Sequence, residues 1–441
     1  MPSVSWFLRC ALLLICLSAR GQVTVESDEA FLDRLQRASF DYFWKEANPT
    51  NGLIRDRSTP NSKCSIAAVG FGLSALNVGI ERGWISRDAG RTRVLTTLRT
   101  FAEGRQGPEP QGTIGYRGWY YHFLEMDSGL RAWKCELSSI DTALLLAGVL
   151  DAREFFTGEH PDEGRIRNLA ETLVSRVDWS WMTDAQKTFT MGWHPESGFL
   201  RSRWQGYNEA MILVLMGLGA PGAWGTAAPS GPAPITWDAW TAGYRWRTHY
   251  GFSYVEFAPL FGHQYSHVWV DFRDRTDPYL RSRGLTYFEN SRRATLAQQA
   301  YCVANPGGFP NYGPLEWGLT ACDGPPGYGA RGAPPAENDD GTLAPTAAGG
   351  SLPFAPEICL PTLRNFDTKY GSQLWGPYGF RDAFNRAQNW WATDTLGIDQ
   401  GPILLMAENH RTGSVWRRMM KSPVIRQGLE RAGFTAWPER P

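Results

Sequence analysis

Trp204-Gln205-Gly206-Tyr207-Asn208-Glu209-Ala210-Met211-Ile212-Leu213-Val214-Leu215-Met216-Gly217-Leu218 runs from an aromatic, glycine-containing turn into an almost wholly apolar helix, with one carboxylate, Glu209, at the seam. An acid there has two explanations. It favours a helix N-terminus through the macrodipole, by roughly 0.3 to 1 kcal/mol, or it presents a chemical group at the mouth of a core. The arrangement recurs twice. Trp133-Lys134-Cys135-Glu136 leads to Asp141 and then Thr142-Ala143-Leu144-Leu145-Leu146-Ala147-Gly148, and Trp390-Trp391 leads through Asp394 to Asp399 and then Gln400-Gly401-Pro402-Ile403-Leu404-Leu405-Met406-Ala407. Three apolar helices that each begin with an acid after tryptophan point to a shared polar site more readily than three separate caps do.

Outward from these stretches, apolar and polar-faced helices alternate. Glu29 to Glu46 is amphipathic, with Phe31, Leu35, Phe40, Phe43 and Trp44 near the helical period; Ser65 to Arg82 is dense in Ala, Gly and Leu; Arg87 to Glu103 is again polar on one face. Ser139 to Phe156 is apolar and Pro161 to Val177 is its solvent-facing partner. Later helices are expected at Thr236 to Thr248, Leu285 to Val303, Ala355 to Phe366, Asp399 to Asn409 and, with an exposed basic face, Val415 to Ala432. Five or six polar-faced helices alternating with as many apolar ones suit a closed double ring, in which inner helices are touched on all sides and outer ones are wet on one face. Hairpin turns are expected at Asp127-Ser128-Gly129 and within Met191 to Leu200, and an aromatic turn at Gly376 to Asn385. Ala220 to Pro234 reads as a variable loop, and Gly307 to Gly350, rich in Gly and Pro, as an irregular insertion.

The balance of 44 basic and 44 acidic residues gives no electrostatic reason to expect nucleic acid or an anionic membrane surface. Twenty Trp, 16 Tyr and 22 Phe are a heavy aromatic load, suited both to deep cores and to the faces of sugars. Residues 1–21 read as an export signal, with Arg9 as the positive flank, Ala11 to Leu17 as the apolar run and Ala19-Arg20-Gly21 before the cut. Cys16 is a poor lipid-anchoring site because Ile15 precedes it. No later segment has eighteen uninterrupted apolar residues, so residues 22–441 are expected to form one soluble, exported, monomeric domain, periplasmic in a bacterium or secreted. Five cysteines then remain, and Cys302 and Cys322, which flank the Gly/Pro-rich loop, are the best disulfide candidates. Neither CxxC nor HExxH occurs, so no metal and no cofactor is expected.

Carboxylates converging in an aromatic funnel suit glycoside hydrolysis, in which one acid protonates the leaving oxygen and a second carboxylate activates water or attacks the sugar. Glu209 is the general-acid candidate, since its neighbours Trp204, Tyr207 and Met211 are the most apolar; Asp141 and Glu136 are its acidic partners and Asp399 a second base candidate. Glu136 and Asp141 are five apart, so the loop must bend for both to point inward. On the loop side, Tyr116, Trp119, Trp193, Trp204, Trp375 and Tyr378 are candidates for stacking on sugar. Arg203 and Arg381 are candidates for binding hydroxyls, with Asn208, His194, His263 and His267 as further substrate contacts. Each also has a bland reading: a cap for the acids, a buried hydrogen bond for the histidines, core packing for the rings.

Phe40-Asp41-Tyr42-Phe43-Trp44, Ser65-Ile66-Ala67-Ala68-Val69-Gly70-Phe71-Gly72, Glu136 through Leu144, Gly206-Tyr207-Asn208-Glu209-Ala210 and Gly379-Phe380-Arg381-Asp382-Ala383-Phe384-Asn385 together resemble the bacterial glycoamylase-like family, which includes endo-β-1,2-glucanases. The resemblance covers about residues 28 to 435. It implies an all-α (α/α)6 toroid and an inverting reaction on an oligo- or polysaccharide, with Glu209 as the essential glutamate and Asp141 and Glu136 in the acidic cluster. It leaves the glucan linkage and endo or exo action open. A non-catalytic sugar-binding toroid would keep the aromatics without needing three acids. A polysaccharide lyase would put a cation opposite a uronic acid, which an acid-lined funnel would repel.

Overall fold

The computed structural model describes residues 26–220 and 235–437, so the expected export segment and nearly all of the loop from Ala220 to Pro234 lie outside the described residues. The helices follow as α1 (Asp28–Lys45), α2 (Ile66–Glu81), α3 (Arg87–Glu103), α4 (Ser139–Phe155), α5 (Pro161–Ser175), α6 (Met211–Gly219), α7 (Trp237–Thr241) and α8 (Tyr265–Trp269). They continue as α9 (Pro278–Arg281), α10 (Tyr287–Ala304), α11 (Pro345–Gly349), α12 (Pro356–Leu374), α13 (Gly397–Arg411), α14 (Ser414–Met419) and α15 (Pro423–Arg431).

Six of them form the inner ring. α2 packs between α4 and α13, α4 meets α6, α6 meets α8, and α11 returns to α13. Gln264, at the start of α8, bridges to α11 through a 2.8 Å hydrogen bond from Nε2 to the Ala347 carbonyl. Outside them, α1 lies over α2 and α13, α3 against α2 and α5, α5 over α4, and α12 over α11. α10 is held to α8 by Ser291 Oγ, 3.1 Å from His267 Nε2. The outer place beside α6 is taken by α15 from the end of the chain. The fold is therefore an all-α (α/α)6 toroid.

Composition explains which helices lie inside. α2 is buried continuously from Ile66 to Gly79 and α6 from Met211 to Gly219, which only helices apolar all round tolerate. Glycine sets how near they approach. A Cβ on Gly70 would lie 2.1 Å from the Leu144 carbonyl oxygen and one on Gly148 2.0 Å from that of Gly70, so α2 and α4 touch backbone to backbone. Gly219 and Gly428 do the same for α6 and α15. Short strands sit at the end where the inner helices begin. Cys64–Ser65 pairs with Phe123–Leu124, and Leu137–Ser138 with Gly192–His194. Ser65 and Ser138 end those strands and cap α2 and α4, each accepting a backbone N–H from three residues on.

Four expectations need correction. The helix expected over Thr236 to Thr248 stops at Thr241, and Trp246–His249 instead pairs with Phe252–Val255 around Tyr250 and Gly251, both at positive φ, a two-residue turn that suits a hairpin. Gly307 to Gly350 is no insertion throughout, because Pro345–Gly349 is α11, an inner helix too short and too rich in Ala and Gly to show a period. Val415 to Ala432 is two helices broken at Ser422-Pro423, and the first is buried rather than exposed. Cys302 and Cys322 are both free: Cys302 closes the last turn of α10, while the Cys322 sulfur lies 3.7 Å from Arg331.

Candidate active site

The inner helices open at their N-terminal ends into a cavity of about 630 Å³. Glu209, Asp141, Leu144 and Tyr265 line it together with His122, Phe123, Trp133, Asp56, Arg57 and Tyr328.

Glu209 sits in the turn just before α6. Gly206 makes that turn at φ +82°, and Asn208 Oδ1 accepts the Ala210 N–H at 2.9 Å. Ser266 of α8 then clamps the backbone: its hydroxyl donates to the Glu209 carbonyl and accepts the Ile212 N–H, each at 2.9 Å. Of the carboxyl oxygens, Oε2 is buried with no hydrogen-bond partner among the described residues. Burial, aided by the Asp141 charge and opposed by a backbone hydrogen bond, pushes Glu209 up to about 7. It is an acid that still holds its proton near neutrality.

Asp141, in the first turn of α4, accepts a hydrogen bond from Ser138 Oγ, and its Oδ2 lies 3.6 Å from His122 Nε2. The other imidazole nitrogen, Nδ1, is 2.9 Å from Glu136 Oε1. The strand Leu137–Ser138 thus carries two acids five residues apart onto one histidine. Burial works against a charged imidazole, but Asp141 and the hydrogen bond to Glu136 outweigh it and hold His122 protonated, up to about 9. For Glu136 burial likewise loses to His122, and its carboxyl is held below the usual range.

Asp399, in the first turn of α13, is buried beside Asp382 from the loop after Gly379–Phe380. Desolvation raises both, Asp382 to about 7 and Asp399 well up; the hydrogen bond between the two lowers Asp382 and raises Asp399, and the Asp382 charge raises Asp399 further. Asp382 Oδ1 and Asp399 Oδ2 have no donor among the described residues other than a proton shared by the two carboxyls. The Asp323 N–H, donating to Asp382 Oδ2, links the pair to Arg57, which lies 3.0 Å from Asp323, 3.4 Å from Asp56 and 3.5 Å from Asp394. Arg57 is thereby matched within the wall. Two rings remain open: Trp133, 66% exposed, and Tyr328, 53% exposed.

Of the residues picked from sequence, Glu209 and Asp141 line the cavity, Glu136 stands behind His122, and Asp399 is paired with Asp382. Most of the expected substrate contacts do structural work instead. Trp204 Nε1 donates to Ser139 Oγ and Trp119 Nε1 to the Asp178 carbonyl, both rings being buried. His263 and His267 are core groups bonded to the Phe257 carbonyl and to Ser291, and burial pushes both down, His263 to about 3. Arg203 pairs with Asp184 at 2.9 Å, and Arg381 donates to the Thr393 carbonyl. Trp375 packs on Phe31 and Phe380, Tyr378 bonds Glu46, and Asn208 is used up in the Glu209 turn. Tyr116, Trp193 and His194 are partly exposed and do not line the cavity. The cavity residues that sequence reasoning passed over are His122, Tyr265, Tyr328, Asp56, Arg57 and Trp133; Asp382, buried beside Asp399, was passed over too. Trp133 carried a signal, a tryptophan in a polar turn, where it adopts φ +52°; Tyr328 lay in the stretch read as an insertion.

The family model described as "Putative glucoamylase" (Glycoamylase) matches residues 201–423. A Bacteroides uniformis structure bearing the same description is 34% identical, with TM-score 0.83, over 93% of this chain and 98% of that one. The endo-β-1,2-glucanase of Chitinophaga pinensis, solved with sophorotriose and glucose, is 27% identical, with TM-score 0.82, over 93% of this chain and 99% of that one. Among curated proteins, the exo β-1,2-glucooligosaccharide sophorohydrolase (non-reducing end) of Parabacteroides distasonis is 32% identical over 432 residues, 92% of this chain; the chain spans 58% of that relative's length.

Proposed function

The chain belongs to the glycoamylase-like family, and from that premise we propose that it is a glycoside hydrolase acting on β-1,2-linked glucan. The observation that carries the reading is Glu209, a buried carboxyl with an unpartnered oxygen, raised to about 7 and facing a cavity of about 630 Å³. That volume is within the ordinary size of small-molecule sites. Two of the named relatives, the Chitinophaga pinensis endo-β-1,2-glucanase and the Parabacteroides distasonis sophorohydrolase, act on β-1,2-linked glucan or its oligosaccharides, which supports that linkage here.

In this mechanism Glu209 gives its proton to the glycosidic oxygen as the C1–O bond breaks. Water attacks C1 from the opposite face and loses its proton to a carboxylate, so the sugar leaves with inverted configuration. Asp141 is the base we favour, because it lines the same cavity and is ion-paired with His122. One observation favours Asp399 instead: its Oδ2 is buried with no donor but the proton shared with Asp382. Trp133 and Tyr328 offer open rings to sugar faces. With Arg57 matched by three aspartates and His122 by Asp141 and Glu136, neither cation lining the cavity is left over for a uronic acid, which favours a neutral substrate. Export directed by residues 1–21 belongs to the same proposal; N-terminal sequencing of the protein from a periplasmic fraction should begin at Gln22.

The test is reducing-sugar release from β-1,2-glucan and from glucans of other linkages, with Glu209→Gln beside the wild type. Release from β-1,2-glucan alone, lost in the variant, is expected; release from none would overturn the reading. Azide added to Asp141→Asn and Asp399→Asn separates the bases, since a small anion restores turnover, as a glycosyl azide, only where the missing carboxylate activated water.

A further inference from the structure

Tyr265 opens α8 and lines the catalytic cavity with Glu209 and Asp141, yet it takes no part in the chemistry above. It is only 4% exposed. Phe71 meets its ring edge-on with centroids 5.5 Å apart, and Phe261 packs against it at 5.4 Å, so neighbours on two sides fix the ring. The hydroxyl has no hydrogen-bond partner among the described residues, and a buried hydroxyl left so costs free energy unless something else bonds it. Burial and the nearby charges of Asp399, Glu209 and Asp141 hold its proton on well above the ordinary tyrosine value. Those three acids stand at the ends of α13, α6 and α4 that open into the cavity, so a hydroxyl that feels all three faces the space between them. The next residue, Ser266, clamps the Glu209 backbone, and one turn of chain thereby fixes the acid and the phenol relative to each other.

The chemistry of the substrate says what that hydroxyl meets. In an inverting hydrolysis C1 lies between the acid and the base, so the space between Glu209 and either base candidate holds the sugar unit that is cut. In a β-1,2-linked chain both the ring oxygen and, in every unit but the non-reducing terminal one, O2 are ether oxygens. They accept hydrogen bonds and cannot donate, so an ionised carboxylate cannot bond them and a hydroxyl can. The other donors of the cavity are committed or remote. Arg57 and His122 are matched by acids, and the Glu209 proton goes to the leaving oxygen. Ser65 caps α2, and Tyr328 is half exposed. Tyr265 is the buried, fixed and unmatched donor among the acids.

We propose that Tyr265 is a further catalytic residue, whose hydroxyl donates a hydrogen bond to an ether oxygen of the sugar unit at the point of cleavage. The inference rests on the glucan reading above and deepens it. Because the contact is made at the unit that is cut, it acts on substrates of every length.

Tyr265→Phe removes the hydroxyl and keeps the ring between Phe71 and Phe261. Steady-state hydrolysis of a β-1,2-glucooligosaccharide series and of the polymer, measured per folded molecule beside the wild type, is expected to show kcat/KM lower by about tenfold, the effect of one hydrogen bond. The factor should be the same at every chain length, and the fall in rate on the alkaline side should stay at about pH 7. Rates equal to those of the wild type, or a loss confined to long chains, would overturn the contact. A shift of the alkaline fall would overturn it too, since Tyr265 would then act through Glu209 and not on the sugar. Each of these leaves the glucan reading standing, whereas a wild type that cleaves no β-1,2-glucan would overturn the function and the contact together.

Discussion

At their N-terminal ends α4 carries Asp141 and α13 carries Asp399; about ten residues on, or ~15 Å at 1.5 Å per residue, the same helices carry Asp151 and Glu408. All four carboxyls are buried, but their partners differ. Asp151 receives Arg418 through Nε at 2.8 Å and Nη2 at 3.2 Å, and Asn77 at 3.2 Å. Glu408 receives Thr412 at 2.6 Å, Arg82 at 2.8 Å and Gln36 at 3.1 Å, and although burial acts to raise it, these partners hold it below the usual carboxylate range. At the cavity end Asp141 meets His122, whereas Glu209 has no cation partner among the described residues and Asp382 and Asp399 face each other, and burial raises these last three. Burial alone thus does not tell a structural acid from a catalytic one; the partner sets the sign of the shift.

The contrast breaks first at Glu209. Glu209→Gln should lower kcat by about 10²–10⁴-fold while the fold gains. A carboxyl raised to about 7 contributes most to stability when protonated and loses that contribution as pH rises from its ordinary value through 7. The variant should therefore melt higher than wild type at pH 8 by a larger margin than at pH 5, and a lower melting temperature at both would show the carboxyl to be structural. The opposite end should behave in the opposite way. Arg418→Ala strands Asp151 and should cost about 3–5 kcal/mol in denaturant unfolding, with kcat per folded molecule unchanged; a large fall in kcat would merge the two ends.

A smaller effect concerns pH. Turnover should fall as pH rises through about 7, where Glu209 loses its proton. Above that, the stability supplied by His122, complete below the ordinary histidine value, should be lost as pH rises through about 9. Melting of the wild type between pH 7 and 10 should then drop more steeply than that of His122→Gln, and parallel curves would remove His122 from the ion-paired wall. Smallest is Trp133→Ala, whose open ring touches little of the protein: KM should rise severalfold, by about 1 kcal/mol of lost stacking, with an unchanged melting temperature.

Much of this architecture was legible along the chain. Alternation of apolar and polar-faced helices gave the double ring, and the acid at the start of three apolar stretches gave Glu209, Asp141 and Asp399, because a helix apolar all round announces its own burial. α11 escaped because five residues of Pro, Thr, Ala and Gly carry no period; α15 lay within the helix expected over Val415 to Ala432, but nothing local says that it packs on α6. The aromatics misled more than they helped. Trp119, Trp204 and Trp375 stand in loops on the expected side, yet their rings turn inward to bond or pack, whereas Trp133 and Tyr328 turn into the cavity. A ring's place in the chain names its loop and not the face of the loop that it occupies.

The sequence by itself determined that α2, α4, α6 and α13 lie inside and which acids stand at or near the beginnings of the last three, since these follow from side-chain polarity repeated at a local period; α8 and α11, five residues each, did not show. Only the tertiary structure decided what each acid is. Glu209 is raised by walls drawn from several segments, Asp141 and Glu136 meet on a histidine from another strand, and Asp399 shares a proton with an aspartate from a separate loop. Desolvation and Coulomb interaction depend on distances of a few ångströms between groups far apart along the chain, and those distances exist only once the ring has closed.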